Sequence, residues 1–438
     1  MLRFAPSPTG DMQIADLRVA LANYIVAKQR AEGFLLRIED TDKSRNVEGK
    51  DAEIKDLLAK FAIHPDQVLY QSDTLNRYQQ LALHLVAEEK AFLCLCSEED
   101  IERERRKAED NNQPYRYSGR CTRLSPEEIR RIRDKKIPFT IRIRKPDEAI
   151  LFTDLIREEI RAEPAEVDHF TLLRSDGTPT HNFACAVDDM SEGIRLVIRD
   201  EKHLMDTPKQ IHIRRSLGFD EEIVYAHLPP LLDESGRRMP KAENSSVKWL
   251  LEAGFLPDAV INYLLAPGCE ACMDEVFTLP DAIECFDLQK FSRSEARFDL
   301  DCLRRLNRKH LRRMNDRELS RIFGFADVEI GRLAKLYLQE AATINELDTK
   351  LHAIFAPKRC DEEWGPQMRS LSDAILSAPY FEAFDAFAND LSERTGLEGE
   401  TLLQPLRQLM TGARHGPQLS DVYQHIKSYI TEVARCQH

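Results

Sequence analysis

The first ten residues constrain the fold most, because a short apolar segment breaks at once into a turn that precedes a helix. They read Met-Leu-Arg-Phe-Ala-Pro-Ser-Pro-Thr-Gly. Apolar residues then recur at helical spacing, namely Leu17, Ala20, Leu21, Tyr24 and Ile25. Gly33 is a candidate C-cap, and Phe34 to Ile38 have the composition of a buried parallel strand. The pattern predicts a β-loop-α-β unit, which could hold an anion at the helix N-terminus or be an ordinary crossover without a ligand.

Bulk composition indicates a folded, multidomain protein. A chain of 438 residues is too long for one core, and we expect three or more domains. No apolar run reaches the ~18 residues that span a bilayer, and the N-terminus does not resemble a signal peptide, so we expect a cytoplasmic protein without a membrane partner. Ten cysteines in such a chain indicate reduced thiols or metal ligands more than a disulfide framework.

Local charge matters more than the net charge of -13, which by itself opposes nucleic-acid binding. Residues 120–145 contain ten Lys or Arg and three acids, and residues 304–317 contain seven Lys or Arg and one acid. Such runs are either solvated helix faces or contacts to a phosphate backbone. Both interpretations are open at this point.

The order of predicted elements indicates four regions. Residues 1–72 and 180–228 are predicted to form a doubly wound α/β fold with a parallel sheet, interrupted by an α+β insertion at 73–179. Residues 229–305 carry a loop and short helices, one of them following Ser245 and Ser246 and closed by Gly254. Amphipathic helical periods dominate 306–438, so we expect an all-α domain there.

Several longer segments carry a family resemblance. They are the opening ten residues, Arg37-Ile-Glu-Asp-Thr-Asp42, Leu173-Arg-Ser-Asp-Gly-Thr-Pro-Thr-His-Asn-Phe-Ala-Cys-Ala-Val-Asp-Asp189, Val197-Ile-Arg199, Asp206-Thr-Pro-Lys-Gln210 and Gly236-Arg-Arg-Met-Pro-Lys241. Together they resemble the glutamyl-tRNA synthetases, which are class I aminoacyl-tRNA synthetases. The resemblance implies a Rossmann-type catalytic domain, and tRNA, glutamate and ATP with Mg²⁺ as partners of what we expect to be a monomer. It further implies that 73–179 binds the acceptor stem, that 229–305 is a stem-contact region with the second signature loop, and that 306–438 binds the anticodon.

The same resemblance implies roles for individual residues. Glutamate contacts are expected at Arg3, Ala5, Ser7, Glu39, His181 and Arg199. ATP contacts are expected at Gly10, Gln13, Ala15, Asp16, Met239 and Lys241, of which Gln13 and Lys241 would be catalytic. The tRNA contacts are expected to include Arg304, Arg305, Arg308 and Lys309. Arg3 and Arg199 would pair with substrate carboxylate and Glu39 with its ammonium group, while Lys241 would stabilise the phosphates in the transition state.

A cysteine pattern in the insertion suggests a metal site. Cys94-Leu-Cys96 and Tyr117-Ser-Gly-Arg-Cys121 have a spacing that can bring three thiolates and one oxygen to a tetrahedral ion. Taken alone, two cysteines near a strand end are buried small apolar residues more often than metal ligands. Some glutamyl-type synthetases have a zinc knuckle of this form, and the resemblance therefore favours Zn²⁺. The Cys269-Glu-Ala-Cys272 pair has no matching partner, and we interpret it as structural or incidental.

The chain departs from the family pattern mainly at the signatures. Gln13-Ile14-Ala15-Asp16 stands where the family has His-Ile-Gly and a small or polar residue, and His181 stands at a tyrosine position. Further departures are Pro240 for serine, Ala242 for a basic residue, and Asp200-Glu-Lys-His203 for Gly-Glu-Asp-His. Two hypotheses follow. The chain is a glutamate--tRNA ligase charging tRNA-Glu or also tRNA-Gln, or it is a catalytically impaired paralogue that acts as a tRNA-binding protein.

Overall fold

A computed structural model describes residues 1–239, 245–268, 276–291, 293–360 and 363–437. The chain divides into two compact units, one comprising Met1–Lys248 and Leu264–Phe298, the other Trp249–Tyr263 and Asp299–His438. Among the described residues, no helix is both long and apolar enough to span a membrane.

Strands and helices follow one another as in an α/β protein with a helical C-terminal region. The strands are β1 (Leu2–Phe4), β2 (Phe34–Ile38), β3 (Gln67–Tyr70), β4 (Ala91–Cys94), β5 (Thr140–Ile143), β6 (Ile150–Asp154), β7 (Glu158–Ala162), β8 (Thr171–Leu173), β9 (Leu196–Asp200), β10 (Val224–Leu228), β11 (Leu231–Leu232), β12 (Ala296–Arg297), β13 (Lys358–Arg359) and β14 (Cys436–Gln437). The helices are α1 (Ile14–Gln29), α2 (Lys50–Lys60), α3 (Leu75–Ala87), α4 (Glu98–Asp110), α5 (Pro126–Asp134), α6 (Pro164–Val167), α7 (His181–Ser191), α8 (Thr207–Ser216), α9 (Val247–Glu252), α10 (Pro257–Leu265), α11 (Leu279–Cys285), α12 (Leu300–Arg313), α13 (Asp316–Ile322), α14 (Val328–Leu336), α15 (Ile344–Phe355), α16 (Gly365–Leu376), α17 (Phe384–Thr395), α18 (Glu400–Thr411), α19 (Leu419–Ile426) and α20 (Ile430–Val433).

The first unit is built on parallel strands. β1, β2 and β3 pair in parallel, in that order. A second sheet has the order β7-β6-β10-β9, in which only β7 is antiparallel to its neighbour. Because β1 also contacts β9, the strands follow the order β3-β2-β1-β9-β10-β6-β7. The predicted doubly wound α/β fold is confirmed.

Burial explains why the opening segments form strands. Every residue of β1 and β2 is buried, as expected for parallel strands covered on both faces. The intervening helix α1 ends at Gln29, and Ala31 adopts a left-handed φ of 51°. The predicted C-cap role of Gly33 is therefore wrong, since the chain has already turned before that glycine.

The predicted insertion contributes to two different sheets. β4, β5 and β8 form a separate antiparallel sheet, packed against α3 and α7 through residues such as Tyr78 and Phe183. However, β6 and β7 also lie within 73–179, and β6 pairs with β10. The chain thus returns to the parallel sheet before the predicted residue 180. Residues of β6 alternate between buried and exposed, a pattern typical of a hairpin strand and not of a parallel strand that is covered on both faces. The local sequence therefore does not indicate that β6 pairs with the parallel sheet.

The second unit is helical, as predicted. Apolar side chains of α12 to α20 form its core, among them Leu311, Ile330, Leu351 and Leu406. The predicted boundary at 305/306 lies inside α12, which begins at Leu300.

One cysteine expectation is also corrected. Cys360 and Cys436 form a disulfide with their Cα atoms 5.9 Å apart, although 76 positions separate them in the sequence. The parallel pairing of β13 with β14 brings them together, which the sequence alone does not reveal. Six other described cysteines are free thiols. Cys269 and Cys272 lie outside the described residues.

Candidate active site

The turn after β1 lies beside the carboxyl end of β2. The Glu39 backbone N–H donates to the Pro6 carbonyl oxygen over 2.9 Å, which fixes the turn against the end of that strand. Gly10 has φ +155°, a conformation that side-chain-bearing residues rarely adopt. Ala5 is half-buried and Ser7 is exposed. The turn therefore presents backbone groups and the exposed Ser7 hydroxyl at the carboxyl ends of the parallel strands. Open α/β sheets bind their ligands at this edge.

The N-terminus of α1 already carries a carboxylate of its own. The Gln13 backbone N–H donates to Asp16 Oδ2 over 3.1 Å. The Gln13 amide donates to the Asp11 carbonyl oxygen (2.8 Å) and accepts from Ser245 Oγ (2.7 Å). Ala15 is half-buried in the same first turn. Because the helix dipole favours an anion here, Asp16 stabilises the helix. Its negative charge also reduces the positive potential that would attract phosphate.

Arg3 is held in place by a buried carboxylate. Its Nε and Nη2 donate to the two Asp189 oxygens over 3.1 and 3.3 Å, and its Nη1 donates to the Ile198 carbonyl oxygen over 3.4 Å. Arg37 Nη1 also contacts Asp189 Oδ1, at 2.7 Å. Burial alone would raise the pKa of Asp189, but the two guanidinium groups hold this pKa well below its usual range. Two arginines thus share one carboxylate.

Arg37 connects Asp189 to further acids. It lies 3.0 Å from Glu192, 3.6 Å from Glu39 and 3.9 Å from Asp188. Burial raises the pKa of Glu192 to about 7, against the attraction of Arg37. This buried network was not predicted from the sequence, because Asp188 and Asp189 lie in α7 and Glu192 directly follows it, distant in sequence from β1 and β2.

Arg199, which the family resemblance implies is a substrate clamp, is a buried guanidinium at the carboxyl end of β9. It is 7% exposed. Its hydrogen bonds go to His227 Nε2 (3.0 Å), Gln210 Oε1 (2.9 Å), the His203 carbonyl oxygen (3.1 Å) and Thr207 Oγ1 (2.6 Å). Within the part of the chain that the structure describes, no carboxylate forms an ion pair with it. Four of its five N–H donors are satisfied by neutral groups, and its charge is left for an anion.

Behind Arg199 lies a buried histidine that sequence reasoning missed. The imidazole of His227 and the carboxylate of Asp154 are both fully buried, with Nδ1 and Oδ2 2.6 Å apart. Burial lowers the pKa of His227 to about 4 despite Asp154, so the ring is neutral at pH 7. Its Nδ1–H therefore donates to Asp154, and Nε2 accepts from Arg199 Nε. This chain of contacts orients the Arg199 guanidinium.

Glu39 is contacted by a histidine and a thiol. His181 Nδ1 lies 3.1 Å from Glu39 Oε2, and the Cys185 thiol lies 3.0 Å from Oε1. Burial alone would raise the pKa of Glu39, but His181 and then Arg37 lower this pKa to about 2. Glu39 is therefore an anion, and its expected contact to an ammonium group stays a prediction. The side chain of His181 is 43% exposed.

The predicted metal ligands converge. Tyr117 Oη lies 3.3 Å from Cys94 Sγ and 3.4 Å from Cys96 Sγ, and the sulfurs of Cys96 and Cys121 are 3.7 Å apart. Three soft sulfur donors and one oxygen at these separations fit a tetrahedral zinc ion. Arg120 Nη2 lies 3.3 Å from Cys96 Sγ and would neutralise part of the thiolate charge.

The basic helix α12 presents some of its predicted cations and uses others internally. Arg305 and Lys309 are exposed. Arg304 forms a bidentate ion pair with Glu346, at 2.7 and 3.1 Å, and Arg308 is half-buried. Only part of the predicted tRNA surface is therefore immediately available to a phosphate.

The second signature loop is described only in part. Met239 is half-buried, and its backbone N–H donates to the Leu231 carbonyl oxygen over 3.1 Å. Lys241, with the expected catalytic ammonium group, lies outside the described residues, and its role stays a prediction.

Comparison with known proteins agrees with this geometry. Residues 1–305 match the family described as tRNA synthetases class I (E and Q), catalytic domain. The chain is 51% identical over 435 residues to glutamate--tRNA ligase 2 of Sulfurovum sp., covering 99% of this chain and 100% of that protein. It is 48% identical over 436 residues to glutamate--tRNA ligase 2 of Sulfurimonas denitrificans, with coverage of 99% and 100%. The crystal structure of a glutamate tRNA ligase from Elizabethkingia meningosepticum in complex with its amino acid is similar, with a TM-score of 0.83, 26% identity, and coverage of 99% of this chain and 97% of that one. From its sequence, fold and site, the chain belongs to the class I tRNA synthetases of the E and Q type.

Proposed function

We propose that this chain attaches glutamate to tRNA in two steps, forming glutamyl-adenylate from ATP and then transferring the glutamyl group. The observation that carries the proposal is the pair of guanidinium groups at the carboxyl ends of β1 and β9. Burial lowers the pKa of Arg199, and the positive charge of the nearby Arg3 lowers it further. Among the described residues, Asp189 is the one carboxylate that pairs with either of these two cations. Such an arrangement favours an additional carboxylate. The full-length similarity to relatives named glutamate--tRNA ligase supports the same reaction.

The proposed reaction needs two anions held together. Arg199, with Arg3 beside it, would bind the side-chain carboxylate of glutamate, and Glu39 its ammonium group. This leaves the α-carboxylate directed toward the turn at Gly10 and the N-terminus of α1, where the ATP phosphates would lie, with Mg²⁺ entering as part of the ATP substrate. In-line attack on the α-phosphate would then be promoted by positioning and by charge stabilisation. Gln13 would contribute an amide N–H and Lys241 its ammonium group.

The family of the chain implies tRNA as a partner, and two basic segments lie where that family contacts it. We infer that the sheet formed by β4, β5 and β8 with its basic surroundings contacts the acceptor stem, and that 306–438 contacts the anticodon. The exposed Arg305 and Lys309 of α12 support a contact to the phosphate backbone at the start of the helical region. We also expect a monomer that acts in the cytoplasm, and sedimentation of the free protein would test the first point.

Glutamate-dependent exchange of labelled pyrophosphate into ATP tests the proposal most directly. We expect exchange with glutamate and none with glutamine, measured with and without tRNA. Charging of purified tRNA-Glu and tRNA-Gln in parallel would then identify the acceptor. Tight tRNA binding without exchange under either condition would contradict the proposal and favour the impaired paralogue.

Restoring the first signature is expected to raise activity. Gln13→His, Ala15→Gly and Asp16→Asn together should increase pyrophosphate exchange by ~10-fold or more, equivalent to ~1.4 kcal/mol of transition-state stabilisation. The physical reason is that the triple change introduces a side chain that can carry positive charge, opens space and removes the carboxylate that now accepts from the Gln13 backbone N–H. The matched control is Asp16→Asn alone, which keeps the oxygen acceptor and changes only charge. An unchanged rate in a parent that already turns over at about 1 to 10 per second would show that the departures are compensated.

We infer further that Cys94, Cys96, Tyr117 and Cys121 bind a structural zinc ion. Zinc would cross-link the strand β4 to the segment around Tyr117. Metal analysis of protein purified without chelator should find close to one tightly bound zinc per chain, lost on Cys121→Ser, because a three-thiolate site tolerates the loss of a thiolate poorly. Cys302→Ser, at a free half-buried thiol of α12, is the matched control and should retain the metal. Metal-free parent protein would contradict the zinc site and leave the synthetase reaction as proposed.

A further inference from the structure

A second group of side chains that could bind a metal lies among the residues expected to contact glutamate. It consists of Glu39, His181 and Cys185, whose donor atoms all lie close to one another. His181 and Cys185 are four positions apart on α7, so they project from the same face of that helix. Glu39 follows β2 and meets them from the sheet. None of the three ligates the knuckle formed by Cys94, Cys96 and Cys121.

The spacing of the donors is close to that required by a tetrahedral ion. Cys185 Sγ lies 3.0 Å from Glu39 Oε1 and 3.5 Å from His181 Nδ1, and Nδ1 lies 3.1 Å from Glu39 Oε2. With bonds of about 2.0 Å to nitrogen or oxygen and about 2.3 Å to sulfur, the donors around zinc are about 3.3 to 3.7 Å apart. The sulfur and the nitrogen, 3.5 Å apart, already have this separation. Glu39 makes its two short contacts through different oxygens, so its carboxylate would turn to offer one of them to the ion.

The chemistry of the donors selects the metal. A thiolate, an imidazole and a carboxylate form a borderline-soft set that suits Zn²⁺ and excludes Mg²⁺ and Ca²⁺, which take oxygen ligands. Burial raises the pKa of the Cys185 thiol, so a bound ion would displace its proton, and Glu39 and the resulting thiolate would then supply two negative charges. Arg37, 3.6 Å from Glu39, opposes the ion, but its charge is shared with Asp189 and Glu192.

The site is reachable from solvent on one side. Cys185 is 3% exposed and Glu39 9%, whereas the His181 side chain is 43% exposed. A metal held by these three residues would keep a coordination position open toward the pocket, as sites with three protein ligands do. His181 also faces His203, with ring centroids 5.3 Å apart, but His203 is already hydrogen-bonded to Asp206 over 3.0 Å.

We propose that Glu39, His181 and Cys185 bind a zinc ion that competes with the amino group of the substrate amino acid. The competition rests on the proposed function, because Glu39 is there the partner of the glutamate ammonium group. With zinc bound, the Glu39 carboxylate is neutralised and the ammonium group has no counter-ion. Zinc and glutamate binding are then mutually exclusive, and zinc inhibits the enzyme at the first step.

Titration with Co²⁺, whose thiolate complexes absorb, tests the site without relying on activity. The metal-free parent is expected to bind two equivalents, the tighter one at the knuckle and the weaker one at Cys185. Cys185→Ala should lower only the affinity of the weaker site, by at least about 10-fold, and Cys121→Ser should abolish only binding at the tighter site. Since the two variants act as controls for each other, a folding defect in one does not imitate the expected pattern. Two unchanged equivalents in Cys185→Ala, or a single equivalent in the parent that Cys185→Ala retains, would overturn the site.

Competition is measured in the same titration. Added L-glutamate should lower the affinity for the second cobalt ion in proportion to its concentration. D-glutamate chelates free metal equally well but has the opposite configuration, and it should leave that affinity unchanged. Equal effects of the two would refute the competition. If the chain binds cobalt through Cys185 but never exchanges pyrophosphate, the metal site stands and the proposed function fails, so the two failures are distinguishable.

Discussion

Replacing Arg199 with alanine is expected to remove glutamate activation, lowering glutamate-dependent pyrophosphate exchange by about 100-fold or more. The guanidinium has no ion-pair partner among the described residues and is oriented by the neutral His227. Its loss therefore removes the charge that would hold the substrate carboxylate. Affinity for tRNA, measured by filter binding, should stay within a few-fold, because Arg199 is buried and would not contact RNA.

Two further variants make this result interpretable. Arg199→Lys keeps the charge but not the planar fork that contacts His227 and Thr207, and we expect activity between that of the parent and that of Arg199→Ala. Arg293→Ala removes an exposed arginine paired with Glu158 and should change neither quantity. If Arg199→Ala lost tRNA affinity and thermal stability together with activation, Arg199 would instead be holding the fold.

Asp189→Asn is expected to cause the largest loss of stability, about 3 to 5 kcal/mol in the free energy of unfolding, measured with urea. The fully buried carboxylate lies between Arg3 and Arg37, and an amide leaves Arg3 without its ion-pair partner and Arg37 without the nearest of its carboxylates. Activation should fall as well, since Arg3 would lose its position beside Arg199.

The pH dependence of this difference has a defined sign. Because the pKa of Asp189 is depressed in the folded protein, its contribution is fully present above the unfolded value near 3.9 and is lost as the pH falls toward the folded pKa. The gap between parent and Asp189→Asn should therefore narrow below about pH 4. Glu192→Gln, at an acid that also contacts Arg37 but whose pKa is raised to about 7, is the matched control and should be far less destabilising at pH 7. Similar losses for both variants would contradict a special role of Asp189.

Local sequence signals predicted the elements that depend on near neighbours. The strand, turn and helix at the N-terminus, the helical C-terminal region and the convergence of Cys94, Cys96, Tyr117 and Cys121 all follow from spacing within short segments. The expected position of Arg199 at a strand end is likewise confirmed. In each case the periodicity or the ligand spacing contains the information.

Contacts between distant segments could not be predicted in this way. Nothing near Arg3 indicates that Asp189 will occupy its guanidinium, and nothing near Arg199 indicates the partnership of His227 with Asp154. Both depend on which strands become neighbours. The same holds for the disulfide between Cys360 and Cys436, which depends on the pairing of two two-residue strands.

The strand order also has a consequence for the timing of folding during synthesis. β10 is made after β6, β7 and β9, yet it lies between β6 and β9. Until Leu228 has left the ribosome, β6 and β9 therefore both have an unpaired edge, and such edges are prone to pair with other chains. Arg199 and Asp154 also lack the histidine that hydrogen-bonds to both of them, because His227 lies in β10. A nascent chain stopped just before β10 should consequently be protease-sensitive and should require a chaperone to stay unaggregated, whereas one stopped after β10 should not.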